Sequence, residues 1–443
     1  MRPIAVDLFA GVGGLSLGLE QAGFDVVAAV EIDPIHAAAH KFNFPRTAVL
    51  ARSVSDLTAE DIRRVSGIGD RKVDVVCGGA PCQGFSLIGH RILADPRNRL
   101  VGEFLRLVRE LDADYFIFEN VKGLTLGDHR KLLDELVSDF GVAGYEVLLP
   151  WKVLNAADFG VPQDRERLFL MGAKRGLALP NYPAAQFARP GSSATRLPPS
   201  PTCQDALGDI PDAELFDELQ RTDSVRTFIW GRPSEYASVL RVMRSAPDDL
   251  SYPRLWDKTV LTASARTDHS AISRRRFAET AEGGVEPISR FFKLPRGGLS
   301  NTLRAGTDAA RGAFTSPRPI HFAYPRCITV REMARLHGFP DWFRFHETKW
   351  HGARQIGNAV PPPLARAVGR QVLEAIGLSV ERPYSPVHLG SDNLLRLSMS
   401  QAAALFGVSA PTAKRDRRSG ARKRKQDEIE AERMLLMERR AYG

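Results

Sequence analysis

The chain has 443 residues, of which 43% are hydrophobic and 26% charged, and a formal net charge of +9. That length allows two or three domains around a large core, and the charge favours a polyanionic partner. No run of 18 apolar residues and no secretory h-region occurs, which argues against a membrane span or export and leads us to expect a cytoplasmic protein. Cys77, Cys82, Cys203 and Cys327 carry neither metal-ligand nor disulfide spacing.

In chain order, Ile4–Phe9 reads as a buried strand. It runs into Gly11-Val12-Gly13-Gly14 and a helix, Leu15–Ala22, closed by Gly23. Strand, glycine-rich turn and helix open a doubly wound α/β unit, and the glycines let a ligand approach the backbone. A second strand, Val26–Val30, ends in Glu31-Ile32-Asp33. An acid there is placed to hydrogen-bond a ribose diol. Asp56, after a third strand and loop, is placed to accept from an adenine amino group. Taken singly, each acid serves equally well as a helix N-cap or a solvated loop residue. No Gly-Lys-Ser/Thr follows to cradle a triphosphate, so the expected ligand is an adenosine compound without phosphates.

Val73–Cys77 is an apolar, β-branched run of strand length. Gly78-Gly79-Ala80-Pro81 breaks it, and nothing in the sequence pattern suggests that packing requires this break. Cys82 follows, held on a bent loop yet reachable, where a nucleophile is useful. Alone, such a cysteine is more often a small buried hydrophobe. An amphipathic helix then runs to about Leu111. The strand Tyr115–Phe118 places Glu119 at its C-terminal edge, where parallel sheets bind ligands. Glu119 either caps the next segment or, between apolar walls, holds a proton at neutral pH. A helix over Lys131–Phe140 and strands at Tyr145–Pro150 and Arg167–Gly172 follow. Arg165 and Arg167, two apart on an extended strand, share a face that looks either into an anion-holding cleft or to solvent.

From Leu179 prolines and a Gly-Ser-Ser run mark a boundary. Residues 186–320 are irregular and arginine-rich, including Arg274, Arg275, Arg276, Arg296, Arg304 and Arg311. Phosphate contact or plain solvation is the commoner role for any one of these, ahead of base reading. Pro361-Pro362-Pro363 opens a helix, Leu364–Ile376, which is expected to dock back on the N-terminal half. Beyond it, Met399–Arg415 has helix-turn-helix character, with Ala403 at the helix contact, Gly407 in the turn and Ser409 as cap; a plain core helix pair fits equally. Eight of the twelve residues Lys414–Lys425 are Lys or Arg.

DLFAGVGGLSLGLEQAGF, EIDP, GGAPCQGFS, ENV and QDRERLF, then RCITVREMARLHGFPD (326–341) and RQIGNAVPPPLA (354–365), resemble in that order the DNA cytosine-5 methyltransferase family. The resemblance covers residues 3–175 and 318–378. It implies an α/β fold: a doubly wound, Rossmann-like methyltransferase domain made of 1–185 and 321–385, a smaller irregular target-recognition domain over 186–320, and a C-terminal extension from 386 to 443. It also implies S-adenosylmethionine as methyl donor, in a pocket of Phe9, Gly11, Gly13, Gly14, Glu31 for the ribose, Asp56 for the adenine, and Asn358 and Val360. Cys82 resembles the catalytic nucleophile and Glu119 its acidic partner. Arg165 resembles the arginine that supports the target base and the covalent intermediate, and Arg167 the second arginine of that motif. No metal is implied. Gln83–Arg99 is expected to close over DNA. Leu336-His337 stands where many members have Leu-Gln, and no catalytic consequence is expected of it. The expected partner is double-stranded DNA, met by a monomer that is either solitary or paired with a restriction endonuclease. An RNA cytosine-5 methyltransferase and a non-catalytic DNA-binding regulator remain the alternatives.

Overall fold

The computed structural model describes residues 2–81, 98–127, 129–192, 196–306 and 318–410. Cys82, most of the Gln83–Arg99 loop, Arg311 and the basic run Lys414–Lys425 lie outside the described residues.

Eight strands form one sheet: β1 (Ile4–Leu8), β2 (Asp25–Val30), β3 (Ala48–Leu50), β4 (Val75–Gly78), β5 (Tyr115–Val121), β6 (Tyr145–Val147), β7 (Lys152–Asn155) and β8 (Glu166–Lys174). Their order is β3-β2-β1-β4-β5-β8-β6, with β7 also paired to β8. β1 to β5 are parallel, and β8 runs antiparallel to β5, β6 and β7. The chain winds outward from β1 to β3 and then returns to β4 on the other side of β1. That reversal opens a crevice at the carboxyl ends of β1 and β4. Because β8 is antiparallel, its first residues lie at the same edge as the end of β5: Arg167 stands opposite Val121, and Phe169 opposite Glu119. The strand expected to reach Pro150 stops at Val147, and β7 is an addition to the expected set.

The helices α1 (Gly14–Ala22), α2 (Pro34–Asn43), α3 (Ala59–Ser66), α4 (Arg99–Glu110) and α5 (His129–Val142) alternate with these strands. One face of the sheet is covered by Ile62, Phe104, Leu107, Leu133 and Phe140, with the Phe140 ring stacked on Phe116 at 3.8 Å. The middle of the chain contributes α6 (Cys203–Leu207), α7 (Glu235–Leu240) and α8 (Ala271–Glu279), followed by α9 (Val330–Leu336), α10 (Lys349–Asn358) and α11 (Pro362–Ile376). As expected, α11 docks back on the N-terminal half. It packs along α1 and covers the second face of the sheet with Leu364, Val368 and Val372. The approach is close: a Cβ on Gly18 would lie 2.3 Å from the Ala365 Cβ.

A third core joins α6, α9 and α10 to Phe42 and Phe44 at the end of α2, and takes in Leu261, Leu294 and Leu303. Buried charge is paired within it. Arg335 bonds Asp209 at 3.0 Å, and Arg326 bonds Glu332 at 2.9 Å. After α11 the chain straps back: Val387–His388 pairs with Arg254–Leu255, and α12 (Met399–Leu405) lies on α2 with Ala402 and Ala403 buried. The first helix of the helix-turn-helix pattern thus spends its apolar face on α2.

Candidate active site

The crevice is built first from the β1–α1 turn. Phe9, Gly11 and Gly13 have φ of 60°, 55° and 103°, so the chain turns three times through the left-handed region within five residues. Only glycine adopts this without strain, and Phe9 carries the strained position. The Glu31 carboxylate fixes the turn: Oε2 accepts from the Gly11 amide and Oε1 from the Asp33 amide, each at 2.8 Å. Burial pushes the Glu31 carboxyl above its usual value, against the pull of His36. Each of its oxygens retains a lone pair for a ligand hydroxyl. Asp33 takes the alternative role foreseen for these acids and caps α2, accepting from the Ile35 and His36 amides. His40, beside the Gly11 carbonyl, is pushed down to about 4 by burial and is neutral.

Val360 closes the crevice from the far end of the chain. A Cβ on Gly14 would lie 2.3 Å from the Val360 carbonyl oxygen, so only glycine lets the two segments meet. The structure therefore brings Phe9, Gly11, Gly13, Gly14, Glu31 and Val360 together. Asn358 is exposed at the end of α10, two residues away, and Asp56 is exposed on a single turn, Val54–Asp56, after β3.

At the same sheet edge Glu119 is buried, and its Oε1 lies 2.9 Å from the Arg167 Nε. Burial raises the Glu119 pKa, while Arg167 and then Arg165 oppose the rise. The segment leading to Cys82 is anchored here, because the Asn120 amide donates to the Ala80 carbonyl at 2.9 Å. Packing does demand Gly78, contrary to the sequence reading, and a side chain at Gly79 would press on the Glu119 carboxylate. A Cβ on Gly78 would lie 2.4 Å from the Leu8 carbonyl oxygen, and one on Gly79 2.6 Å from Glu119 Oε2.

Arg165 and Arg167 part company. Arg167 turns to Glu119, whereas Arg165 is fully buried and donates to the carbonyls of Leu303 (3.0 Å), Gly357 (2.8 Å) and Ala359 (2.9 Å). Gln163 and His337, not singled out from sequence as site residues, extend this knot. Gln163 accepts from the Leu303 amide and donates to the Leu336 carbonyl, with His337 Nδ1 3.0 Å from its Nε2. The sequence signals were their place inside the quoted motifs and, for His337, its standing where the resemblance leads one to expect glutamine. Among the arginines of the middle segment, Arg274 pairs with Glu214, Arg275 with Glu279, Arg276 with Glu286 and Arg296 with Glu282, while Arg304 is exposed beside Leu303.

A doubly wound sheet with a carboxylate-stapled turn at its switch point, and a buried acid–arginine pair on the same edge, defines the Rossmann-like class of cofactor-dependent enzymes. The profile of the C-5 cytosine-specific DNA methylase family matches residues 4–374. Type II methyltransferase M.XorII of Xanthomonas oryzae pv. oryzae is 58% identical over 409 residues, covering 92% of this chain and 93% of that protein. Type II methyltransferase M1.HphI of Haemophilus parahaemolyticus is 32% identical over 375 residues, covering 83% and 86%. A crystal structure described as a prophage-encoded DNA modification methyltransferase (E. coli) superposes with a TM-score of 0.69 at 33% identity, covering 85% of this chain and 100% of that one. The chain belongs to the C-5 cytosine-specific DNA methylase family and is a DNA cytosine-5 methyltransferase. These matches favour neither the RNA-methylating nor the non-catalytic alternative. No helix among the described residues is long and apolar enough to cross a membrane.

Proposed function

We propose that the enzyme uses S-adenosylmethionine to methylate a cytosine flipped out of a specific duplex DNA site, as a monomer in the cytoplasm and as the modification half of a type II restriction–modification pair. The observation that carries this reading is the shared edge. The Glu31-stapled turn closed by Val360 and the Glu119–Arg167 pair lie on the same side of one sheet.

The crevice fits the cofactor. Glu31 accepts from ribose hydroxyls, Asp56 from the adenine amino group, and Phe9, the Gly11–Gly14 turn, Asn358 and Val360 form the walls. The close approach of Gly14 to Val360 brings the C-terminal segment up to the turn, so both ends of the chain can line one pocket. When bound, S-adenosylmethionine supplies the methyl group.

Carbon 5 of cytosine is a poor nucleophile, and the base is unreachable inside the stack. Extruding it costs a few kcal/mol. Cys82, two residues beyond the anchored Ala80, attacks carbon 6 as the thiolate. This attack breaks the aromaticity and makes carbon 5 nucleophilic. A free thiol has a pKa of roughly 8.5, and the arginines at this edge favour its ionisation. Protonated Glu119 shares its proton with ring nitrogen 3, and Arg167 holds Glu119 in place and offsets the developing negative charge. Arg165 supports the base indirectly, by setting the strand that carries Arg167. After methyl transfer a base takes the proton from carbon 5, and the Cys82 thiolate is expelled. Residues 186–320 supply target recognition, with Arg304 as an exposed cation beside the catalytic strand.

Labelled methyl transfer to duplex DNA and to tRNA, with Cys82→Ala as control, tests this. Transfer to duplex DNA that Cys82→Ala abolishes is the expected result. Transfer to tRNA alone, or undiminished transfer by the variant, rejects the proposal.

A further inference from the structure

His337, at the end of α9, is fully buried in the knot beneath the catalytic edge. The hydrogen bonds fix its state. Gln163 Oε1 accepts from the Leu303 amide at 3.1 Å, and Gln163 Nε2 faces the Leu336 carbonyl at 3.2 Å. Nε2 is therefore the amide nitrogen, a donor. His337 Nδ1, 3.0 Å from it, must accept. The ring proton is then on Nε2, which donates to the Ala359 carbonyl at 3.0 Å. A neutral imidazole in this tautomer accepts on one side and donates on the other. A glutamine amide has the same pattern.

We infer that His337 is a positioning residue of the methyl transfer, bridging Gln163 at the head of the arginine strand to Ala359 beside the cofactor wall. The bridge has a mechanical reason. Ala359 precedes Val360, whose carbonyl touches Gly14, so a shift of this segment moves the floor of the cofactor crevice. The Ala359 carbonyl also takes a bond from Arg165, two residues before the Arg167 that meets Glu119. One carbonyl thus ties the cofactor wall to the catalytic strand, and His337 donates to the same oxygen as Arg165. All of the members, Gln163, Arg165 and His337, are fully buried, so water cannot replace a broken bond.

This inference rests on the reading that Val360 lines the cofactor pocket, and the experiment separates the two. S-adenosylmethionine affinity, single-turnover methylation rate and thermal midpoint are measured for the wild type, His337→Gln, His337→Asn, His337→Leu and Glu31→Ala. Loss of a buried bridging bond is expected to weaken cofactor binding about tenfold and slow turnover in His337→Leu. The His337→Gln variant is expected to recover both to within about threefold, because it restores the accept-and-donate pattern. His337→Asn reaches Gln163 but not Ala359, and should lose cofactor affinity while remaining folded, which keeps the test decisive if the leucine variant does not fold. Wild-type affinity and rate in folded His337→Leu or His337→Asn, with only the thermal midpoint lowered, would overturn the inference. An unchanged affinity in Glu31→Ala would instead overturn the pocket on which it rests.

Discussion

Glu119 sits between two opposed influences, burial that favours its protonated form and two arginines that favour the ionised one, and burial prevails. Arg167→Ala removes the larger opposing charge, so the Glu119 pKa should rise further while the developing negative charge loses its nearest cation. Single-turnover methylation should fall by about 10²- to 10³-fold, with the pH dependence of the remaining rate displaced upward. Glu119→Gln keeps the shape but cannot pass a proton, and a loss of about 10²-fold in the same assay is expected where the wild-type Glu119 is protonated, shrinking as pH rises through its pKa. Asp7, under the β1–α1 turn, reports on folding instead. It accepts from the Ser16 hydroxyl at 2.6 Å and lies beside Cys77, and burial raises its pKa from 3.8 to about 7. Between these values the native state keeps a proton that the unfolded chain releases. The contribution of Asp7 is therefore fully present below about pH 4, is lost as pH rises towards about 7, and is level beyond that. At about 1.4 kcal/mol per pKa unit the effect is on the order of 4 kcal/mol. The urea midpoint difference between pH 5 and pH 8 should shrink in Asp7→Asn. An unchanged difference would mean that Asp7 is ionised in the native state.

At the scale of elements, the packing of α1 against α11 brings the two ends of the catalytic sequence together. The Gly18 Cβ position lies 2.3 Å from Ala365, and that of Gly369 2.8 Å from Leu19, so both helices have glycine at the crossing. Gly18→Val forces them apart and should cost roughly 2–3 kcal/mol, read as a lower thermal midpoint together with weaker cofactor binding, since Val360 leads directly into α11. The parallel strands were legible because burial on both faces makes them continuous apolar runs, and their acids and glycines fall where a switch point needs them. β7 was not, because four residues ending in Asn155 show no period. Nor was the depth of Arg165: spacing on a strand gives the face, but its partners Leu303, Gly357 and Ala359 come from 138 to 194 positions along the chain. The need for Gly78 and the closeness of Gly79 to Glu119 were hidden for the same reason, since Leu8 and Glu119 belong to neighbouring strands.

Over the whole molecule the net charge of +9 is unevenly available. Arg274, Arg275, Arg276 and Arg296 of the middle segment are matched by glutamates, so they add little net attraction for a phosphate backbone. Arg304 is exposed, and eight of the twelve residues Lys414–Lys425 are Lys or Arg. Two truncations distinguish what the C-terminal extension does. Ending the chain at 410 removes the basic run and keeps the strap. Cofactor affinity and thermal midpoint should hold, while DNA affinity falls and its dependence on log salt becomes shallower, by about one unit for each phosphate that is no longer neutralised. Ending it at 385 also removes the pairing of Val387–His388 with Arg254–Leu255, Leu395 from the third core, and the cover that Ala402, Ala403 and Phe406 give α2 and β3. Since α2 starts at the Asp33 cap beside Glu31, this cut should lower both the thermal midpoint and the cofactor affinity. If the two truncations weakened cofactor binding equally, the strap would have no part in holding α2, and the residues after 410 would be the ones that matter.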